Sequence, residues 1–377
     1  MVDKRKFKDV EVSLLGLGTM RLPCETEQKR ESNPNIDYEK AQKLVDLAYK
    51  NGVNYYDTAY MYHCGKSEKF IGQALKKYPR NTYFIADKLP IWMCDTKEDM
   101  QRIFANQLER TGIEYFDFYL LHSLDKENFE KCEKLGAYDF IKQKQKEGKI
   151  KYIGFSFHGT VDDLRHIVSA HDWDFAQIQM NYLDWENQNA KAQYQTLEDA
   201  DIPTIVMEPI RGGKLALVNN EIKDMFKSKK PNMSVASWAM GFVASHKNII
   251  SILSGMNSEE QMLDNLSTLT DFKAFGDDEY STCFKAASIL NKSEVIGCTG
   301  CDYCQPCPKG IKISSFFSLY NSVVSGDVNI QQGREVYDSF AVNPTACAWC
   351  NKCKNHCPQS ISVPDVLEGK VVKLFMQ

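Results

Sequence analysis

Several absences narrow what this chain of 377 residues can be. No apolar run approaches the ~20 residues of a membrane-spanning helix, which argues against an integral membrane protein. Formal net charge is only −4, so no overall basic field invites nucleic acid. The first residues, Met1-Val2-Asp3-Lys4-Arg5-Lys6-Phe7, contain no apolar stretch of the secretory kind, and the expectation is a cytoplasmic protein. There is no low-complexity tract. The dinucleotide fingerprint G-x-G-x-x-G is also missing: Gly16-Leu17-Gly18-Thr19-Met20-Arg21 places arginine where the third glycine belongs, which counts against a doubly wound nucleotide fold.

What is present in excess is cysteine near the C-terminus. Eight of the 13 cysteines fall within residues 298–377, in two runs that each close on proline. The first holds Cys298, Cys301, Cys304 and Cys307 before Pro308; the second holds Cys347, Cys350, Cys353 and Cys357 before Pro358. The second run has the bacterial ferredoxin spacing C-x2-C-x2-C-x3-C-P, and the first is one residue shorter before its last cysteine. Three thiolates at every third position wrap one corner of an iron–sulfur cube, and the cysteine before proline reaches a second cube. The pattern predicts two [4Fe–4S] clusters, one on Cys298, Cys301, Cys304 and Cys357, the other on Cys347, Cys350, Cys353 and Cys307. The shortened first run leaves a single cluster as the sub-alternative. Zinc uses four ligands, usually as two C-x2-C pairs, and gives eight cysteines in triplets no use. A disulfide framework needs an oxidising compartment. The other five cysteines (Cys24, Cys64, Cys94, Cys132 and Cys283) are scattered, as in a reducing cytosol. Oxygen-sensitive cluster sulfurs further point to a low-oxygen setting.

Upstream, residues 13–270 alternate two textures. Short apolar or β-branched runs occur at Leu14–Gly18, Val53–Tyr56, Tyr83–Asp87, Phe116–Leu121, Ile150–Phe155, Phe175–Gln179, Thr204–Met207 and Ile249–Leu253. Between them lie stretches of helical periodicity, among them Tyr38–Asn51, Lys97–Thr111, Phe129–Glu147, Val161–Ala170 and Met233–Ser245, several ending at glycine. Strand–helix alternation implies βαβ units and a parallel sheet, and eight such units in about 250 residues match a closed (β/α)8 TIM barrel. The organisation expected is a barrel over 1–270, a helical bridge over 271–297 with Phe284, Ala287 and Leu290 inward, and a small, mainly helical iron–sulfur (ferredoxin-like) domain over 298–377.

In a barrel of this kind catalytic groups stand at the C-terminal ends of strands. The residues at the ends of three successive apolar runs are Asp57, Lys88 and His122, and Tyr62 lies five positions past Asp57. Together they make a proton-transfer device. A nearby ammonium stabilises phenolate and lowers the acidity threshold of tyrosine; Asp57 would hold Lys88, His122 would orient a substrate oxygen, and Tyr62 would protonate a carbonyl oxygen as hydride reaches carbon. Each residue taken singly has a plainer reading: a structural ion pair for Asp57 and Lys88, a core histidine for His122, and competition from Tyr55, Tyr56 and Tyr60. Coincidence at three successive strand ends favours the device. His63, Cys64 and His158 read as loop lining.

The stretch Asp57-Thr-Ala-Tyr-Met-Tyr62-His-Cys-Gly-Lys-Ser-Glu68 resembles the aldo-keto reductase signature, and Lys88 and His122 complete that family's tetrad. The resemblance runs over residues 10–270, and the whole chain is similar to the branch carrying a C-terminal ferredoxin-like 4Fe-4S domain. It implies a (β/α)8 barrel that reduces aldehydes and ketones with NADPH or NADH, with Tyr62 as general acid, Asp57 and Lys88 as its tuning pair, and His122 as substrate orienter. It also implies nucleotide-binding roles for Ser156 and Gln177 at the carboxamide. Gly255, Asn257, Gln261 and Asn265 match the adenosine-phosphate loop. Gln261 stands where a basic residue would grip a 2′-phosphate, and Met207–Arg211 offers no aromatic ring for the nicotinamide, so NADP(H) and NAD(H) both remain open. The expected partner is a small-molecule carbonyl substrate, with no nucleic acid and no membrane. The competing functions are a cluster-fed electron-transfer reductase, using ferredoxin or another redox partner or a flavin bound in the barrel, and a redox sensor. The substrate and the oligomeric state are not written in the sequence.

Overall fold

A computed structural model describes residues 1–25, 35–292 and 294–376. The chain divides into two compact units: Met1–Ile210 with Leu215–Ala286, and Arg211–Lys214 with Ala287–Gln377.

The first unit is a closed parallel barrel preceded by an antiparallel hairpin. The hairpin pairs β1 (Lys4–Phe7) with β2 (Val10–Ser13). The barrel runs β3 (Leu15–Gly18), β4 (Tyr55–Asp57), β5 (Phe84–Leu89), β6 (Phe116–Leu124), β7 (Ile150–Phe157), β8 (Phe175–Gln179), β9 (Thr204–Met207) and β10 (Ile249–Ser254), and β10 closes on β3. Each strand falls on one of the eight apolar runs, because strands covered on both faces need unbroken apolar residues. Phe7 and Val12 of the hairpin pack with Tyr55, Phe118, Tyr152, Phe175, Ile205 and Ile250 in one buried cluster, so the hairpin covers the end of the barrel where the strands begin.

The helices carry local start and stop signals. Thr96 and Thr160 form capping boxes with Asp99 and Asp163, and Ser234 and Ser258 cap Val235–Ala244 and Glu259–Thr268. Two expectations need correction. The stretch Phe129–Glu147 is not one helix: Gly136, at φ +68°, separates Lys126–Leu135 from Ala137–Lys146. A lone glycine in a helical pattern is tolerable in isolation, but here it takes the left-handed conformation that ends a helix. On the helix Asp277–Asn291, Phe284 is exposed rather than inward, lying across Phe242 and Tyr280 instead of beneath them.

The second unit is helical. Ile313–Val324 and Ile330–Ser339, with short turns from Val363 to Met376, bury Phe316, Phe317, Tyr320, Tyr337, Leu367, Val371 and Phe375. Tyr337 stands edge-on to Phe316 at 5.3 Å and stacks on Phe375 at 5.0 Å. Each such side chain contributes roughly 1.5–3 kcal/mol by leaving water, so a small core of aromatics suffices. Asn321 ties the strand-like approach to this core, accepting from Ile296 N at 2.6 Å and donating to Ile296 O at 2.9 Å. Among the described residues no helix is long and apolar enough to cross a membrane.

Within the barrel, the helix Lys66–Leu75 packs on Lys97–Thr111 through Gly72, where a Cβ would lie 1.9 Å from the Thr111 carbonyl oxygen. Helix propensity alone would make Gly72→Ala stabilising by about 1 kcal/mol. We expect the reverse, a loss of about 1–3 kcal/mol from overpacking against rigid backbone. Urea denaturation decides, and a stabilised variant would mean that the two helices can separate at no cost.

Candidate active site and cysteine sets

The barrel's stagger brings the strand-end residues together. Asp57 pairs in register with Ala86, and Lys88, two residues on, shares its face. Lys88 pairs with Leu120, and His122 is again two residues on. Each strand thus presents its polar side chain one pleat later than its neighbour, as tilted strands in a closed barrel require. All three are buried. Lys88 Nζ donates to Asp57 Oδ1 and to the Thr58 carbonyl, each at 2.7 Å. Thr19 donates to the Asp57 carbonyl at 2.9 Å, and its hydroxyl meets Ser67 at 2.6 Å, so a hydroxyl chain fixes the strand end.

Tyr62 opens the short turn Tyr62–Gly65, in which His63, Cys64 and Gly65 all have positive φ. Its ring centroid lies 5.0 Å from Lys88 Nζ and 6.3 Å from the His122 ring, edge to face. The competing tyrosines have other surroundings. Tyr55 belongs to the barrel-floor cluster, Tyr56 donates to the Val53 carbonyl, and Tyr60 lies under Arg110.

Burial holds the His122 imidazole well below its ordinary range, and Lys88 and His158 push it the same way. Burial also lowers His158, to about 4. His122 is therefore neutral at physiological pH, and its Nδ1 is buried without a partner among the described residues. Burial pushes the Asp57 carboxyl upward while Lys88 opposes that shift. Trp92, in the loop after β5, lies 5.0 Å from the His122 ring. Sequence reasoning passed over it; an aromatic residue four positions past Lys88 was the available signal.

Ser156 and Gln177 face each other in register on β7 and β8. Ser156 Oγ accepts the Ser123 N–H at 2.7 Å, and Gln177 Oε1 is buried without a partner. Beyond β10, Asn265 donates to Ser254 Oγ at 3.0 Å, and Gly255 packs on the Arg21 side chain. Gln261 turns back to accept the Asn257 N–H at 3.0 Å while its own N–H goes to Ser258 Oγ at 3.3 Å. It acts as a capping residue, and the first turn beside it carries Glu259 and Glu260 with no cation.

The cysteines form two sets. Cys307, Cys347, Cys350 and Cys353, with Cys304, line one cavity together with Ile311, Ile313, Pro364 and Leu367. Cys298, Cys304 and Cys357 are raised first by burial; Cys298 and Cys304 also sense the charge of Cys357, and Cys304 that of Cys301. None of them is disulfide-bonded, and Cys298 Sγ accepts the Gly300 N–H at 3.3 Å. Among the described residues no three His, Cys, Asp or Glu side chains converge on a point that suits a single metal ion. Two cations missed in the sequence stand beside the first set: Arg211 donates to Gln359 at 3.1 Å and Lys214 to the Ile296 carbonyl.

A model of the Aldo/keto reductase family matches residues 14–287. The NADH-specific methylglyoxal reductase of Escherichia coli (strain K12) is 26% identical over 304 residues, covering 69% of this chain and 91% of that protein. The L-galactose dehydrogenase of Arabidopsis thaliana is 23% identical over 272 residues, covering 66% and 84%. Among solved structures, the holo form of an aldo-keto reductase from Bacillus halodurans superposes with TM-score 0.61 at 21% identity, over 76% of this chain and 96% of that one. An aldo-keto reductase from Klebsiella pneumoniae in complex with NADPH gives TM-score 0.59 at 20% identity, over 76% and 95%.

Removing Asp57 would strand a buried ammonium, so Asp57→Ala should cost about 3–5 kcal/mol in chemical denaturation. The histidines set an acid limit. His122 and His158 bind protons less readily folded than unfolded, so their contribution is intact above the ordinary imidazole value of 6.5 and is lost as pH falls below it. His122→Gln should flatten that decline, and an unchanged pH profile of stability would assign the acid sensitivity to other groups.

Proposed function

The chain belongs to the aldo/keto reductase family, and from that premise we propose that it reduces an aldehyde or ketone to an alcohol with NAD(P)H, Tyr62 acting as general acid. One observation carries the reading: Lys88 Nζ, buried and held by Asp57 and the Thr58 carbonyl, lies 5.0 Å from the Tyr62 ring. An ammonium so placed favours phenolate, which makes the phenol a better proton donor at neutral pH. Neutral His122, with an open Nδ1, suits a hydrogen bond to the carbonyl oxygen that Tyr62 protonates. Trp92, over His122, suits an apolar wall for the substrate.

The residues present fit a nicotinamide nucleotide. The orphaned Gln177 Oε1, opposite Ser156, suits a carboxamide donor, and Gly255, Asn257, Gln261 and Asn265 surround a capped helix N-terminus of the kind that receives phosphate. When bound, the nucleotide supplies hydride. Gln261 is committed to the cap, and Glu259 and Glu260 flank it, which disfavours the extra charge of a 2′-phosphate. We propose NADH as at least an equal partner, in keeping with the similarity to the NADH-specific methylglyoxal reductase of Escherichia coli.

For the second unit we propose two [4Fe–4S] clusters, one on Cys298, Cys301, Cys304 and Cys357, the other on Cys307, Cys347, Cys350 and Cys353. The support is the partition of the thiols into those two neighbourhoods and the cavity that the second set lines. The thiolates of a cube bind different irons and need not meet at one point. Such clusters carry single electrons. Hydride chemistry at Tyr62 does not require them, so a structural or docking role is preferred. Exposed Cys350 and Trp349 favour the second reading, in which electrons enter from a ferredoxin-type partner.

Tyr62→Phe should lower carbonyl reduction by 10²–10⁴-fold, the ordinary share of general acid catalysis, with nucleotide affinity nearly unchanged. Wild-type turnover from this variant would move the proton donor elsewhere. Anaerobically purified protein should be brown and hold about eight irons for two cubes. Four irons would support one cluster, and colourless protein with stoichiometric zinc would refute both. Cys350→Ser should keep near-normal NAD(P)H-dependent turnover; loss of turnover with intact nucleotide binding would place the clusters in the catalytic circuit.

A further inference from the structure

Lys88 is gripped from two sides, and only one of them belongs to the tetrad. Asp87, its neighbour on β5, points the opposite way from Lys88, as alternate residues in a strand do. Asp87 Oδ1 accepts the Lys88 N–H at 2.8 Å, and Gln107 Nε2 donates to the Lys88 carbonyl at 2.9 Å. The backbone that carries the ammonium is thus clamped at both its donor and its acceptor.

Asp87 is fully buried, and so is Glu68, which ends the family signature and projects from the helix Lys66–Leu75. Glu68 Oε2 accepts from Arg110 Nη1 at 2.8 Å. Arg110 reaches Glu68 past Gly65, where a Cβ would lie 2.9 Å from Nη1. The remaining oxygens, Asp87 Oδ2 and Glu68 Oε1, are both buried without a donor. Each carboxyl lies within hydrogen-bonding reach of the other. Two carboxylate oxygens cannot bond to each other unless one of them carries a proton.

The surroundings say which one. The groups facing the pair are Lys88, Arg110, Tyr119 and Gln107. Arg110 is committed to Glu68, and Lys88 Nζ is committed to Asp57 on the other face of the sheet. Counting Lys88 with Asp57 and Arg110 with Glu68 leaves no cation for Asp87. An uncompensated buried carboxylate is costly, and a shared proton removes that cost.

We propose that Asp87 and Glu68 hold one proton between them, carried by Asp87, and that this neutral acid is a positioning residue for Lys88. It fixes the Lys88 backbone without setting a second anion beside the ammonium, which leaves the field of Lys88 to Asp57 and Tyr62. Burial, which pushes both carboxyls upward and Asp87 most strongly, agrees. The protonation claim stands alone, whereas its consequence for turnover rests on the carbonyl-reductase reading.

Asp87→Asn and Glu68→Gln separate the possibilities. An amide at 87 keeps a donor for Glu68 and an acceptor for the Lys88 N–H. An amide at 68 leaves the half-buried Arg110 without its anion. The full-length protein should tolerate Asp87→Asn, with turnover within about tenfold of wild type, while Glu68→Gln loses stability and Asp87→Ala loses turnover, the smaller change at 87 rescuing what alanine removes. Infrared spectroscopy of protein with carboxyl-labelled aspartate should show a protonated-acid band at neutral pH that disappears in Asp87→Asn. Because the folded form binds this proton more tightly than the unfolded chain, the stability of wild type relative to Asp87→Asn should fall as pH rises. Absence of the band, or the reverse ranking with Glu68→Gln tolerated and Asp87→Asn not, would overturn the proposal. The infrared and stability readouts hold even if no carbonyl substrate turns over, which keeps this failure distinct from failure of the reductase reading.

Discussion

A buried ammonium is among the most demanding groups a protein can contain, and the organisation of the barrel mouth follows from the way Lys88 is accommodated. Taking the charge out of water is costly unless a counter-ion and further hydrogen bonds replace the hydration shell. Asp57 supplies the first and the Thr58 carbonyl the second, both at 2.7 Å. That arrangement demands that β4 and β5 keep their register and that the turn after β4 stay in place, which the Thr19, Ser67 and Thr58 hydroxyls secure. It also fixes where Tyr62 can stand. The same ion pair thus holds two strands together and sets an ammonium 5.0 Å from the Tyr62 ring.

The two units solve the burial problem differently. The barrel stacks apolar side chains from seven of its eight strands, covers one end with the Phe7 hairpin, and buries the Asp57–Lys88 pair at the other. The second unit has a core of a few aromatic residues from short helices; Cys298, Cys304, Cys307, Cys347 and Cys353 lie partly buried at its margin, and Cys350 is exposed. Small domains commonly need staples besides a core, and the proposed clusters would supply them here.

Legibility differed from residue to residue. The eight strands were visible because a strand covered on both faces is predominantly apolar or β-branched, and that requirement is local. Asp57, Lys88 and His122 were visible because each directly follows such a run. Gly136 was misread, since the same residue can interrupt a helix or merely weaken it, and only the packing of Lys126–Leu135 and Ala137–Lys146 selects the left-handed turn. Gln261 was seen as a missing cation, but its part as a cap depends on the path of the loop from Gly255 to Ser258. Arg110 and Gln107 were invisible as members of the site, because nothing in their own neighbourhood marks what they meet, whereas Trp92 was passed over although it lies four positions past Lys88.

By itself, then, the sequence determined the element types, their order and the identity of the strand-end groups, since each of these depends on periodicity or on residues a few positions apart. Tertiary structure alone decided that Trp92 lies over His122, that Arg110 reaches Glu68, and that Asp87 and Glu68 face each other across a strand and a helix. Those relations depend on barrel stagger and helix docking, which bring together side chains from different strands and helices in orientations that no single stretch of chain encodes.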